Sequence, residues 1–143
     1  MVLPKCIVDE LEGRGLDVED FMIRLPSKEL NLDPEIAVET RLELAEKYLA
    51  EGKELVDRDH VEASERLYRV AGECMKALVI HHYLEDILGG VEEMGRWIVT
   101  DLEKAVKEIS KMVSEDFLVS WGEADHLHVW GFTRQSWIGD LLK

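Results

Sequence analysis

Apolar positions along this chain recur at steps of three and four, the spacing of a helix that buries one face. The longest register runs Ala63, Leu67, Val70, Cys74, Leu78 and His81, and predicts a helix from about His60 to Leu84. Asp59 and Glu62 form a capping-box start for it. An earlier register, Ile36, Leu44, Tyr48, Leu49 and Leu55, predicts a helix to about Val56, with Asp33 as N-cap and Pro34 in the first turn. Only Asp57-Arg58-Asp59 separates the two, so they must form an antiparallel hairpin. A third long helix carries Leu102, Ala105, Val106, Ile109 and Met112 and is expected to start at Thr100-x-x-Glu103. A fourth opens at Ser114 and reaches about Phe132, and Leu88-Gly89-Gly90 to Gly95 reads as the longest loop. Trp137 to Leu142 is a short apolar tail.

Upstream, Cys6 to Glu12 reads as a short helix with Ile7, Val8 and Leu11 on one side, broken by Gly13-Arg14-Gly15. Asp17 then caps a second short helix bearing Phe21, Met22 and Leu25, which Pro26 should end or kink. Such a small N-terminal piece holds no core alone and has to pack on the rest of the chain or on a partner subunit. No segment alternates convincingly as a strand does. The expected fold is therefore all-α: an antiparallel up-down four-helix bundle over 33–143, with 1–32 as an N-terminal helical extension and short helices at both ends.

With 143 residues, 46% hydrophobic and 34% charged, the chain has the composition of one folded domain. Its net charge of −14 is concentrated between Asp33 and Glu65, where acids far outnumber Arg41, Lys47, Lys53 and Arg58. That stretch reads as a solvated helix face, laced by the pairs Glu43/Lys47, Glu54/Arg58, Glu62/Arg66 and Glu65/Arg69. It repels a phosphate backbone, so a nucleic-acid partner is not expected. No apolar run approaches the roughly 20 residues of a membrane span. No signal-peptide hydrophobic region precedes Asp9 and Glu10, so no membrane and a cytoplasmic location are expected. Cys6 and Cys74 lie in no Cys/His metal spacing, which argues against structural zinc; neither a metal nor a cofactor is expected.

Several constellations stand between structural and functional readings. Tyr48, Gly52, Leu55, Ser64, Tyr68 and Ala71 match much of one tetratricopeptide repeat, but no second copy follows, leaving a tightly packed hairpin. Glu123 and His126 form a single Glu-x-x-His, whereas a di-iron bundle needs two. Asp125 lies at the margin of the helix face shared by Phe117, Trp121, Ala124, His128 and Phe132. Asp125 and His128 are either a satisfied structural pair or the lining of a polar pocket. Gly95-Arg96-Trp97 precedes the third long helix, where arginine beside tryptophan suits an anion or a base, or else caps the core. Arg96, Trp97, Asp125 and His128 are thus the candidate ligand-binding residues, and none is assigned a catalytic role. Phosphate-binding loops and a nucleophile elbow are absent from the sequence. Trp130, with Val119 and His126, points away from Trp121 and joins Trp137, Ile138, Leu141 and Leu142 in an apolar patch. A homodimer is the expected way to cover it, a protein partner or the chain's own tail or N-terminal helices folding back over Trp130 being the alternatives.

The segments Ala45 to Leu55, Glu62 to Tyr68 and Glu73 to Leu78, followed by Gly95-Arg96-Trp97, Asp101 to Val106 and Leu127 to Phe132, resemble the PaREP family of thermophilic archaea over about 33–132. That family is often grouped with the HEPN-like helical bundles, and the resemblance implies the same four-helix fold. Metal-independent ribonucleases of that group carry an arginine followed, after four to six residues, by a histidine. No arginine here meets that spacing: Arg58 is too close to His60, and Arg69 leads to Cys74, Met75 and Lys76. The resemblance therefore implies a noncatalytic binding or interaction module. The alternatives are a small-molecule or nucleotide-binding protein and, less favoured, a divergent ribonuclease.

Overall fold

Asp33 and Asp59 each end a turn by accepting backbone N–H groups that a helix start leaves without partners. Asp33 Oδ1 accepts from Glu35 at 3.0 Å, and Asp59 Oδ1 from Val61 at 3.2 Å and Glu62 at 3.1 Å. They open the two longest helices, α3 (Pro34–Leu55) and α4 (His60–His81). A computed structural model describes residues 3–116, 118–123 and 126 of the chain. It adds α1 (Lys5–Gly13), α2 (Val18–Glu29), α5 (Glu85–Met94) and α6 (Val99–Met112), with further helical residues from 115 onward. Among the described residues there is no strand.

α3 and α4 form the antiparallel hairpin. Arg41 meets Glu73, Tyr48 meets Arg69 and Glu51 meets Arg66, so contacts march up one helix as they descend the other. Gly52 sits at a close approach: a Cβ there would lie 3.0 Å from Leu67 Cδ2. The apolar core lies on the other side of α4, where Met75 and Val79 pack with Ile87 of α5 and Leu102, Ala105, Val106 and Ile109 of α6. Trp97 and Trp121 pack against its edge.

Four expectations need correction. The segment around Gly89-Gly90 is not a loop but part of α5, where Ile87 and Val91, one turn apart, are both buried and Ile87 joins the core. The helix ends at Gly95, whose φ of +72° is the left-handed stop that glycine tolerates best. Of the end or kink expected at Pro26, the end is excluded, because α2 continues to Glu29. α6 starts at Val99, before Thr100, with Asp101 Oδ2 accepting from the Ile98 N–H at 3.0 Å. Finally, the register read along α4 is only part of its buried surface. Ala63 is buried and Leu78 packs against the core, but Leu67 is 39% exposed and His81 is exposed, while Gly72, Glu73, Met75, Ala77 and Val79, all off that register, are buried. α4 has neighbours on several sides, so no single stripe describes it.

Candidate functional site: a cleft beside a buried charge cluster

The first turn of α2 carries Asp17, Glu19 and Asp20, and each of these acids reaches a cation of the hairpin. Asp17 caps the helix by accepting from the Asp20 N–H at 3.0 Å, which sets the turn and sends Asp20 inward. There Arg41 Nη1 lies 2.6 Å from Asp20 Oδ1 and donates to Glu73 Oε2 at 3.1 Å. Lys76 Nζ lies 3.0 Å from Glu73 Oε1 and 3.4 Å from Asp20 Oδ1. Two cations and two carboxylates thus alternate around a square, each cation touching both acids. Arg41 is 1% exposed, Asp20 7% and Glu73 6%, so the square belongs to the interior. Burying single charges would be prohibitive; burying them balanced and in contact is what makes the arrangement tenable.

A second cluster lies further along the hairpin. The Tyr48 hydroxyl donates to Glu19 and accepts from Arg69 Nη1 at 3.3 Å, while Lys47 Nζ reaches Glu19 at 3.4 Å. Burial acts to raise the Glu19 pKa, but the Tyr48 hydrogen bond and the charges of Lys47 and Arg69 outweigh it and hold the carboxyl below its ordinary value. Burial and the carboxylate together push the Tyr48 phenol well above its own. Arg69 also lies 3.5 Å from Asp17, so this cluster too holds α2 to the hairpin.

The cleft opens where the start of α2 meets the α5–α6 junction. It has a volume of about 410 Å³ and is lined by Asp20, Tyr68, Lys76, Arg96 and Trp97 among others. Lys76 Nζ stands 5.8 Å from the centroid of the Trp97 ring, within cation–π range. Arg96 is exposed and donates from Nη1 to the Gly15 carbonyl at 3.0 Å, bridging the α1–α2 turn to the α5–α6 junction. The Tyr68 ring packs on Trp121 with centroids 5.7 Å apart.

Arg96 and Trp97 therefore meet at one cleft, whereas Asp125 and His128 lie outside the described residues, as do Trp130 and the tail from Trp137. Sequence reasoning missed Asp20, Arg41, Glu73 and Lys76. In the sequence Asp20 is one more acid in the first turn of a short helix, and Arg41 belongs to the stretch that reads as a solvated acidic face. That placement of Arg41 is overturned, because it lies in register with the buried Ala45, Tyr48 and Gly52. A lone arginine in a stripe of inward-facing positions was the available signal. Among the described residues, no group of three or more histidines, cysteines or acids is arranged to hold a metal ion.

The described chain is thus an all-helical protein organised on a tight hairpin, with an apolar core on one side of α4 and a charge cluster beneath α2. A sequence model of the archaeal PaREP1/PaREP8 family matches residues 40–139, and the chain belongs to that family. No curated protein and no solved structure matches it. No described helix is long and apolar enough to cross a membrane.

Proposed function

We propose that this protein is a noncatalytic binding module that takes a planar small molecule of the nucleoside or nucleotide class in the cleft between α2 and the α5–α6 junction. The observation that carries this reading is the convergence of Trp97, Tyr68, Lys76 and Arg96 on one cavity of ligand size. Aromatic rings offer stacking, Arg96 offers donors at the rim, and the square behind Asp20 and Lys76 holds the wall in place. In this reading α3, α4, α6 and the helix that opens at Ser114 form an up-down bundle of HEPN-like type. Packing of Trp121 against the core supports that arrangement. Calorimetric titration with adenosine and AMP tests the ligand class. Binding weakened about tenfold or more in Arg96→Ala supports it, a loss of the size that removing one charged hydrogen bond produces. Wild-type protein that takes up neither compound sinks it.

A specific observation favours a second reading, association with another protein or a second copy. Leu42 and Leu49 on α3 and Val56 at its C-cap recur at heptad spacing and remain 44%, 36% and 43% exposed. Sedimentation of wild type and Leu49→Glu separates the two readings, since a wild-type monomer at high concentration removes the self-association form.

A further inference from the structure

Phe21 also lines a second cavity, a groove of about 480 Å³ between α2, the start of α3 and α5. Its walls are largely apolar, with Phe21, Leu25, Leu32, Ala37, Ile80 and Leu88 among the lining residues. Arg41 also lines it, and at 1% exposure it belongs to the deepest part. The Nη1 atom of Arg41 serves the charge square, but its buried Nε–H has no hydrogen-bond partner. A buried donor left unbonded is costly, and folded proteins rarely keep one without an acceptor arriving from elsewhere.

We propose that this groove is a second binding site, for an uncharged, mainly aliphatic molecule with one hydrogen-bond acceptor, such as a carbonyl, directed at Arg41 Nε. Charge sets the choice of a neutral ligand at both ends of the groove. Inside, Arg41 and Lys76 already balance Asp20 and Glu73, so an added carboxylate would bring an uncompensated buried charge. At the rim, Arg24 and Lys28 are matched by Glu29 and Glu92; Lys28 lies 3.0 Å from Glu92, and Arg24 donates to the Gly95 carbonyl at 2.5 Å. The acceptor satisfies the one open donor while the chain covers the apolar wall. The rival occupant is a single water on Nε, which would leave the apolar length unused.

Phe21 and Gly95 border both cavities, but Arg96, Trp97, Tyr68 and Lys76, on which the nucleotide reading rests, are not among the residues that line this groove. Decanamide and decanoate serve as probes, with the Arg41 Nε–H resonance of nitrogen-15-labelled wild-type protein as the readout. Decanamide should bind and shift that resonance. Decanoate should bind about tenfold more weakly or worse, because its carboxylate must be desolvated without a partner. Ala37→Phe, which fills the groove without altering Arg41, should abolish decanamide binding, and Arg96→Ala should leave it unchanged. Failure of decanamide to bind wild type overturns the proposal, as does binding that leaves the Arg41 signal in place. Binding of decanoate as tight as that of decanamide also overturns it.

Discussion

Glu73 and Met75 stand two residues apart on α4 and are both buried, at 6% and 1% exposure, yet they belong to different kinds of interior. Met75 joins a cluster made of apolar side chains from α4, α5 and α6. Glu73 joins the square with Arg41, Lys76 and Asp20, where every contact is ionic. The apolar side is held by removal of surface from water, which is non-directional and tolerates exchange of similar shapes. The charged side holds only when all four groups are in place, because each depends on partners from other helices. Such clusters add little net stability compared with an apolar replacement, but breaking one is expensive. The comparison suggests a division of work: the core stabilises the α4–α6 pairing, and the charge clusters set the position of α2, and with it the cleft.

The largest expected effect comes from breaking the square. Arg41→Met leaves Lys76 alone to balance the buried Asp20 and Glu73, and should cost about 3–5 kcal/mol in urea denaturation. A loss below about 1 kcal/mol would mean that water already shields the acids and that the two interiors do not differ as described. On the apolar side, Ile109→Ala deletes a side chain with 0% exposure and should cost about 2–4 kcal/mol. If the division of work is right, this variant destabilises the protein without changing affinity at the cleft, measured well below its melting temperature.

A smaller effect separates two glycines on the hairpin. A Cβ at Gly72 would meet nothing within 4 Å, so Gly72→Ala should stabilise by about 1 kcal/mol through helix propensity alone. The same change at Gly52 presses on Leu67 and should forfeit most of that gain. Equal melting temperatures for the two variants would remove the close approach as an explanation for Gly52.

The subtlest effect lies in pH dependence. The Glu19 pKa is lowered on folding, so its contribution is present above the ordinary carboxyl value of 4.5 and is lost as pH falls through the folded value. The Tyr48 pKa is raised, so its contribution is complete below the ordinary phenol value of 10.0 and is lost as pH climbs towards the folded value. Melting curves of wild type and Tyr48→Phe should therefore differ most between these limits and converge outside them. A constant difference from acid to alkali would show that neither group titrates with unfolding.

Much of this architecture is written in short stretches of chain. Asp17, Asp33 and Asp59 mark helix starts because a capping carboxylate bonds an amide two or three residues away. The hairpin follows from two long periodic segments with too few residues between them for any other turn. The same local logic failed at Gly89-Gly90, where poor helix formers are carried in a helix whose Ile87 and Val91 are buried, Ile87 in the core with α6. It also recovered Arg96 and Trp97 as neighbours in sequence without revealing the cleft, whose other walls come from α2 and α4. Arg41 is the clearest case. Its acidic surroundings in the sequence suit an exposed face, its spacing from Ala45, Tyr48 and Gly52 an inward one, and its burial is decided by Asp20 and Glu73, the latter 32 residues away. A cap or a period is satisfied within one turn and is legible there. A buried charge is tenable only once distant partners arrive, so its place emerges with the packing of the helices.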